Sequence, residues 1–269
     1  MAARSPLPLR HAAALGALHG PTELFPVSSS GHTTLIPWLA RWPYPQLDAD
    51  LRKAFEVALH AGTAAALLVA LRRGRAGAPQ IDLRGGALAA LGCAPAALAG
   101  YLFEQPVERR LGTPPTVAAG LVMGSLAMLW ADRAPATRHR GDAGVGDALW
   151  LGIAQASALM PGVSRSGATL AAARRRRFAR PDARSLAGEL ALPMIGAAAL
   201  LKGVRLARRG LPAQLVPAFA LGAICSFGST LGALATVERL PRDRPLLPDA
   251  AYRLVLAGVT VRRLRENRS

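Results

Sequence analysis

PVSSSGHT, residues 26–33, and PGVSRSGAT, residues 161–169, spell nearly the same polar phrase in otherwise apolar surroundings. Shifting the chain by 136 positions lays Val27, Ser28, Ser30, Gly31 and Thr33 on Val163, Ser164, Ser166, Gly167 and Thr169. Helix breakers precede both phrases, Pro21 and Pro26 in the first and Pro161 and Gly162 in the second. Proline stops one half-helix and is tolerated in the first turn of the next, so each serine run is expected at or near a half-helix N-terminus. Non-helical backbone at membrane depth survives only when buried in protein or facing a watery cavity. Both phrases are therefore read as tips of re-entrant helical hairpins.

The surroundings justify speaking of membrane depth. Of 269 residues, 51% are hydrophobic, yet the formal net charge is +17, a pairing that fits a membrane protein better than a soluble one. Apolar stretches at 54–71, 86–103, 115–131, 186–204 and 215–237 match, or nearly match, the roughly 20 residues a spanning helix needs. A shorter stretch lies at 250–261. Their Ala, Gly and Ser content suits close helix packing in lipid, and Gly120 with Gly124 makes a GxxxG, weak evidence in so small-residue-rich a chain.

Arginine clusters fall between the apolar segments, at Arg72, Arg73 and Arg75, at Arg138 and Arg140, at Arg174 to Arg177, and at Arg239, Arg242 and Arg244. That is the placement of loops at a lipid headgroup surface, and no nucleic-acid partner is expected. Loops 72–85, 132–147, 174–185 and 239–244 fall on one face and favour it as cytoplasmic, while Arg205, Arg208, Arg209 and the C-terminal arginines oppose the bias. Cys93 and Cys225 sit in apolar segments and read as inert buried thiols. The first residues resemble a signal peptide, but cleavage near Ala17 would leave the chain starting at the edge of the first phrase, so this region is read as retained.

About three apolar segments separate the phrases, an odd number, which inverts the second copy relative to the first. The expected architecture is all-α, a single polytopic integral membrane domain with an inverted-topology repeat. The first repeat covers roughly 1–131 with its motif at 22–33, and the second roughly 146–269 with its motif at 161–169. Inverted repeats with broken helices place polar sites near the bilayer midplane.

Glu23 is an acid in a membrane-embedded stretch, where an unpaired ionisable group is costly and hence a candidate functional group; a structural ion pair is the plain alternative. Ser29 and His32, three apart, share a helix face and fit a nucleophile and base, although a cap and a hydrogen-bonded histidine would look the same. Arg165, between Ser164 and Ser166 and followed by Thr169, offers a planar fork for phosphate oxygens beside the free N–H groups of a helix start. A carboxylate, a nucleophile, a base and an anion clamp are parts of a phosphate hydrolysis site. No GxxxxGK[ST] loop, GxSxG elbow or HExxH occurs.

The segments GPTELFPVSSSGHTTL and AQASALMPGVSRSGATL resemble the two signature motifs of the bacterial undecaprenyl-diphosphate phosphatase family, also called the bacitracin-resistance protein family. FEVALHAGTAAALLVAL, APAALAGYLFE, RPDARSLAGELALPMIGAAALLK and AAYRLVLAG are similar to its other segments in the right order, so the resemblance covers nearly the whole chain. SSGH with SRS also resembles the type-2 phosphatidic-acid phosphatases, but that class needs a Lys/Arg-Pro motif upstream and a His and Asp after its Ser-Arg, which this chain lacks.

The family resemblance implies a multi-pass enzyme of the bacterial cytoplasmic (inner) membrane whose active site opens to the outer side. Its members remove the terminal phosphate of undecaprenyl diphosphate, which recycles the lipid carrier of cell-wall synthesis. Carried onto this chain, Glu23 is the second acid of the acidic motif, Ser29 the nucleophile, His32 its partner and Arg165 the diphosphate clamp. Ser28, Ser30, Ser164, Ser166, Thr169 and His19 complete the substrate-binding set. A divalent cation, Mg2+ or Ca2+, is usually required, with Glu23 its expected ligand here. Glu23 either holds that cation or orients His32, and a rival assignment makes His32 the nucleophile. The expected partners are a polyprenyl diphosphate lipid and the bilayer, and a homodimer is allowed. A transporter or flippase of an anionic polyprenyl lipid would reuse the same architecture without chemistry.

Two departures from the family pattern stand out. His19 occupies the place of a Glu or Gln four residues before Glu23, and imidazole is a poor ligand for hard Mg2+ or Ca2+. His19 instead suits a hydrogen bond to phosphate, and weakened activity, metal independence or another lipid phosphate as substrate are all open outcomes. His60, in LHAGT, stands where the family usually has glutamine, and the sequence attaches no role to it.

Overall fold

The computed structural model describes residues 7–74 and 82–267. Residues 1–6 and 75–81, and with them Arg75, lie outside the described residues. So do the side chains at 105, 108, 109, 192, 198, 199, 201, 202 and 204–209, which include Arg205, Arg208 and Arg209.

Ten α-helices account for nearly all of the described chain: α1 (Leu9–Leu24), α2 (Ser29–Leu39), α3 (Ala49–Arg72), α4 (Leu83–Leu111), α5 (Pro114–Asp132), α6 (Val145–Ala156), α7 (Arg165–Arg175), α8 (Arg180–Arg209), α9 (Val216–Arg239) and α10 (Leu247–Glu266). No strand occurs among the described residues; one isolated bridge joins Arg138 and Phe178. Local chemistry sets several starts. The Asp48 side chain accepts from the N–H groups of Asp50 and Leu51 at 2.9 and 3.4 Å, which caps α3. Pro114 and Pro115 open α5, where a missing N–H costs nothing.

Four segments are long and apolar enough to cross a membrane: Ala49–Arg72, Leu83–Glu104, Pro114–Asp132 and Ala213–Arg239. They coincide with the expected stretches 54–71, 86–103, 115–131 and 215–237. Stretch 186–204 lies within α8, partly on residues whose side chains are outside the description, and 250–261 lies within α10. Large apolar side chains on α4 (Leu98, Leu102, Phe103) and α5 (Met123, Leu126, Trp130) face outward, as lipid contact demands and water would not allow over so wide an area. The protein is all-α and a multi-pass membrane protein.

The chain forms two compact units, each assembled from several segments. The first comprises residues up to Leu24, His32–Ala78 and Met194–Glu238, and the second Phe25–Gly31, Pro79–Pro193 and from Arg239 onward. In the first, Phe55 packs edge-on against Tyr44 and Phe219 at 5.9 and 5.2 Å, with Leu15, Leu59 and Leu215 buried around them. Helices α1 and α3 lie directly on α9: a Cβ on Gly20 would sit 2.4 Å from the Thr230 nitrogen, and one on Gly62 2.3 Å from the Ala223 oxygen. Glycine at these contacts lets backbones approach where lipid provides no hydrophobic push between helices.

In the second unit Met128, Leu151, Leu170, Phe178, Leu186 and Leu190 form the core of α5 to α8. Its basic loops are bound internally and are not left entirely to headgroups. Arg138 donates to both carboxylate oxygens of Asp147 at 2.9 and 2.7 Å, Arg176 donates to Asp147 at 2.7 Å, and Arg180 to Asp132 at 2.8 and 3.0 Å. Burial alone would raise the Asp147 pKa, but the bonds from Arg138, Arg176 and the Gly144 N–H outweigh it and bring the carboxyl down to about 2. Arg174 is buried and donates to the carbonyls of Phe178, Ala134 and Asp132.

Candidate functional site

Both polar phrases belong to the second unit, the first through Phe25–Gly31 and the second through its whole length. Each builds the same helix start. Ser28 and Ser164 have φ of 77° and 71°, a left-handed conformation uncommon for residues with a Cβ. The Ser28 Oγ accepts the Gly31 N–H at 3.2 Å, and the Ser164 Oγ accepts the Gly167 N–H at the same distance. Each capping hydroxyl also lies near the serine two residues on, 3.4 Å from Ser30 Oγ and 3.2 Å from Ser166 Oγ. A Cβ on Gly31 would come within 3.1 Å of the Ser28 Oγ, so the glycine that closes each phrase makes room for its cap. The shared letters of the two phrases thus encode one backbone device. Two letters differ, His32 against Ala168 and, at the first helical position, Ser29 in α2 against Arg165 in α7, the last two both half-buried.

A residue absent from the sequence-level site holds these loops together. Arg253 of α10 is fully buried; its Nη1 donates to the Pro26 carbonyl at 3.0 Å, and its Nη2 donates to the carbonyls of Gly162 and Val163, each at 2.9 Å. Carbonyls next to a helix break have lost their helical partners, and in lipid each unmet one costs several kcal/mol, on the order of the penalty for burying a bare amide. One guanidinium with five donors meets several at once. The Ser166 hydroxyl adds a direct link to the Phe25 carbonyl at 3.4 Å.

The GxxxG pair seats this assembly. A Cβ on Gly120 would lie 2.3 Å from the Pro161 oxygen, and one on Gly124 2.2 Å from Arg253 Nη2. The motif therefore receives the second phrase and its anchor on α5.

Within the first unit, α1 and α3 bring together three side chains. Glu23 Oε2 lies 3.6 Å from His60 Nε2, and the rings of His19 and His60 meet edge to face with centroids 4.5 Å apart. Behind His19 is a buried hydroxyl set: its Nδ1 is 3.1 Å from Thr63 Oγ1 and 3.2 Å from Ser226 Oγ. His60 Nδ1 lies 2.8 Å from the Glu56 carbonyl, and the Glu56 carboxylate accepts from Thr33 at 3.2 Å. Two imidazoles and one carboxylate are a poor match for Mg2+ or Ca2+, which collect six or more oxygens.

The expected residues therefore fall into two groups. Ser28, Ser29, Ser30, Ser164, Arg165 and Ser166 belong to the paired caps, while His19 and Glu23 belong to the cluster on α1 and α3. His32 is buried on α2, one turn after Ser29. Thr169 is fully buried and its hydroxyl faces the α7 carbonyls of Arg165 and Ser166 at 3.0 and 3.2 Å, a helix-internal bond. Sequence reasoning passed over Arg253, Glu56, Thr63 and Ser226. The last three are hydroxyl and carbonyl partners whose only sequence signal is being polar inside an apolar run.

Residues 12–259 match the protein family described as Bacitracin resistance protein BacA. Among curated proteins, the chain is 38% identical to an undecaprenyl-diphosphatase of Geobacter metallireducens over 267 residues, covering 93% of this chain and 96% of that protein. It is 37% identical to the one of Geobacter sulfurreducens, covering 94% and 97%, and 38% identical to the one of Thermomicrobium roseum, covering 92% and 95%. Paired serine caps, four membrane-capable helices and a match over nearly the whole described chain agree: this chain belongs to the bacitracin resistance protein BacA family.

Proposed function

We propose that the protein hydrolyses undecaprenyl diphosphate to undecaprenyl phosphate and inorganic phosphate in the bacterial cytoplasmic membrane. The two phrases form re-entrant hairpins of an inverted repeat, and the site opens to the outer side, where the lipid carrier is recycled for cell-wall synthesis. The observation that carries this reading is the pair of matched caps, 136 residues apart in sequence, joined through Arg253 and the Ser166 to Phe25 bond in a member of this family. Family relatives named as diphosphatases, together with the Ser29–His32 pair that mere binding would not need, favour hydrolysis over transport.

The Ser29 hydroxyl attacks the terminal phosphorus and gives its proton to His32. The anhydride bond breaks as undecaprenyl phosphate leaves with the proton that His32 took, and the neutral His32 then takes a proton from a water, which cleaves the phosphoserine and returns Ser29 its hydrogen through His32. Arg165, with hydroxyls of Ser28, Ser30, Ser164 and Ser166 and N–H groups of both helix starts, stabilises charge on the equatorial oxygens. Glu23 fixes the polar side chains around it.

The experiment is phosphate release from undecaprenyl diphosphate by purified protein in detergent. Activity in the parent, with a serine-linked phosphoenzyme trapped on Ser29, is expected. A folded protein that binds the lipid and releases no phosphate defeats the reading, and phosphate trapped on a histidine nitrogen transfers the nucleophile to His32.

A further inference from the structure

The two departures from the family pattern, 41 residues apart in sequence, meet in the fold. His19 is 1% exposed and stands one helical turn before Glu23, itself buried, while His60 reaches in from α3. One ligand-capable atom from each of the three lies within 4.8 Å of the other two.

Their hydrogen bonds point each ring's Nδ1 at oxygen and leave its Nε2 toward the cluster. His60 Nδ1 faces a carbonyl, which can only accept, so Nδ1 bears a hydrogen and Nε2 is the nitrogen turned toward Glu23, the one a metal ion would take as ligand. For His19 the hydroxyl protons are countable. Ser226 donates to the Leu59 carbonyl at 2.8 Å and Thr230 donates to the Ser226 carbonyl at 2.7 Å. Thr63 lies 3.1 Å from Thr230 Oγ1 and has a single hydrogen to give it. One tautomer of His19 serves every one of these groups: Nδ1–H is shared with the Thr63 and Ser226 oxygens while Thr63 gives its hydrogen to Thr230. That leaves His19 Nε2 as a buried lone pair with no hydrogen-bond partner.

Two imidazoles with Nδ1–H tied to oxygen acceptors and Nε2 free is how metal-binding histidines are held, the outer partner fixing both tautomer and ring orientation. We propose that His19, Glu23 and His60 form a three-ligand site for an imidazole-preferring transition-metal ion, Zn2+ being the representative, in place of the hard alkaline-earth ion usual in the family. A His2Glu set with an open fourth position is an established zinc arrangement, and the same donors have little affinity for Mg2+ or Ca2+. Zinc bonds of about 2.1 Å bring ligand atoms closer than the cluster now has them. His60, whose side chain is 30% exposed, has the freedom to close that gap. The inference deepens the phosphatase reading, on which it rests for the ion's use but not for its binding.

The test measures metal binding directly. Chelator-stripped protein in detergent, dialysed against Zn2+, is expected to retain about one ion per chain by elemental analysis, undisturbed by millimolar Mg2+ or Ca2+. Co2+ as a second probe should develop the visible absorption of a low-coordinate site. His60→Ala and His19→Gln, verified as monodisperse by size exclusion, should weaken Zn2+ binding by at least about tenfold, and Thr63→Val roughly tenfold through the outer shell. His19→Glu with His60→Gln, which restores oxygen donors, should exchange Zn2+ binding for Ca2+ or Mg2+ binding.

Folded parent protein that holds no Zn2+, or Zn2+ held equally well by His60→Ala and His19→Gln, overturns the site. Should His19→Gln fail to fold, the half-exposed His60→Ala alone decides. Phosphate release without Zn2+ binding sinks this inference and spares the hydrolase reading; Zn2+ binding without phosphate release does the opposite.

Discussion

The caps at 28–31 and 164–167 share φ, capping bond, neighbouring serine and closing glycine, yet differ in what they carry. Position one of the helix is serine in one and arginine in the other, and three residues later His32 faces Ala168 across the alignment. Thr33 reaches out to Glu56, whereas its counterpart Thr169 bonds its own helix. The repeated part is the one that costs strain, about 1–3 kcal/mol for a left-handed non-glycine residue, and it has to be over-determined by its surroundings. The divergent part is a set of side chains on a helix start, the kind of backbone end that favours an anion. Backbone and chemistry are thus separable in these two regions.

The most damaging test of that separation removes what the two caps hold in common. Arg253→Ala strips donors from carbonyls of both loops and is expected to destabilise by about 3–5 kcal/mol, read as a lowered thermal midpoint in detergent. Arg253→Lys should recover only part, because a point ammonium cannot span the same carbonyls. Next comes the divergent position: Arg165→Ala should cut kcat/KM for phosphate release roughly 100- to 1000-fold while barely moving the midpoint. A midpoint drop matching that of Arg253→Ala would make Arg165 a structural residue and break the distinction.

Smaller effects sharpen the comparison. A Cβ on Gly167 would lie 2.8 Å from Arg253 Nη1 and 3.1 Å from the Met128 sulfur, while one on Gly31 meets nothing nearer than 3.1 Å. Gly167→Ala should therefore cost about 1–3 kcal/mol by overpacking, and Gly31→Ala distinctly less. Smallest are the caps themselves. Ser28→Ala and Ser164→Ala should each cost about 1 kcal/mol, and the glycine variants less than the alanine ones because glycine accepts the positive φ. Unequal cap losses measured by thermal unfolding would mean that the two starts differ in energy despite their matched geometry.

Local signals made much of this legible in the sequence. An apolar run of about 20 residues fixes a span by itself, and α3, α5 and α9 end within a few residues of where composition places them, while α4 runs on past its apolar stretch to Leu111. The serine phrases likewise announced helix starts, since breaker, hydroxyl and glycine are all near neighbours. Long-range features were hidden. Arg253 in AAYRLVLAG reads like any arginine on a helix, and nothing adjacent reveals that its partners are residues 26, 162 and 163. The arginines at 138 and 176 looked like headgroup contacts because Asp147, which holds both, is a single acid with no neighbouring signal in the chain. His60 carried no meaning until the fold brought it to His19 and Glu23.

Arg253 also imposes an order in time. It is delivered by α10, which follows the other nine helices of the described residues, whereas both loops it clamps are synthesised much earlier. Spans can enter the bilayer as they emerge from the ribosome, but the two loops wait for α10 before their backbone is locked. A nascent chain arrested before α10 would be inserted, largely helical and inert, a form that quality-control proteases have a window to find.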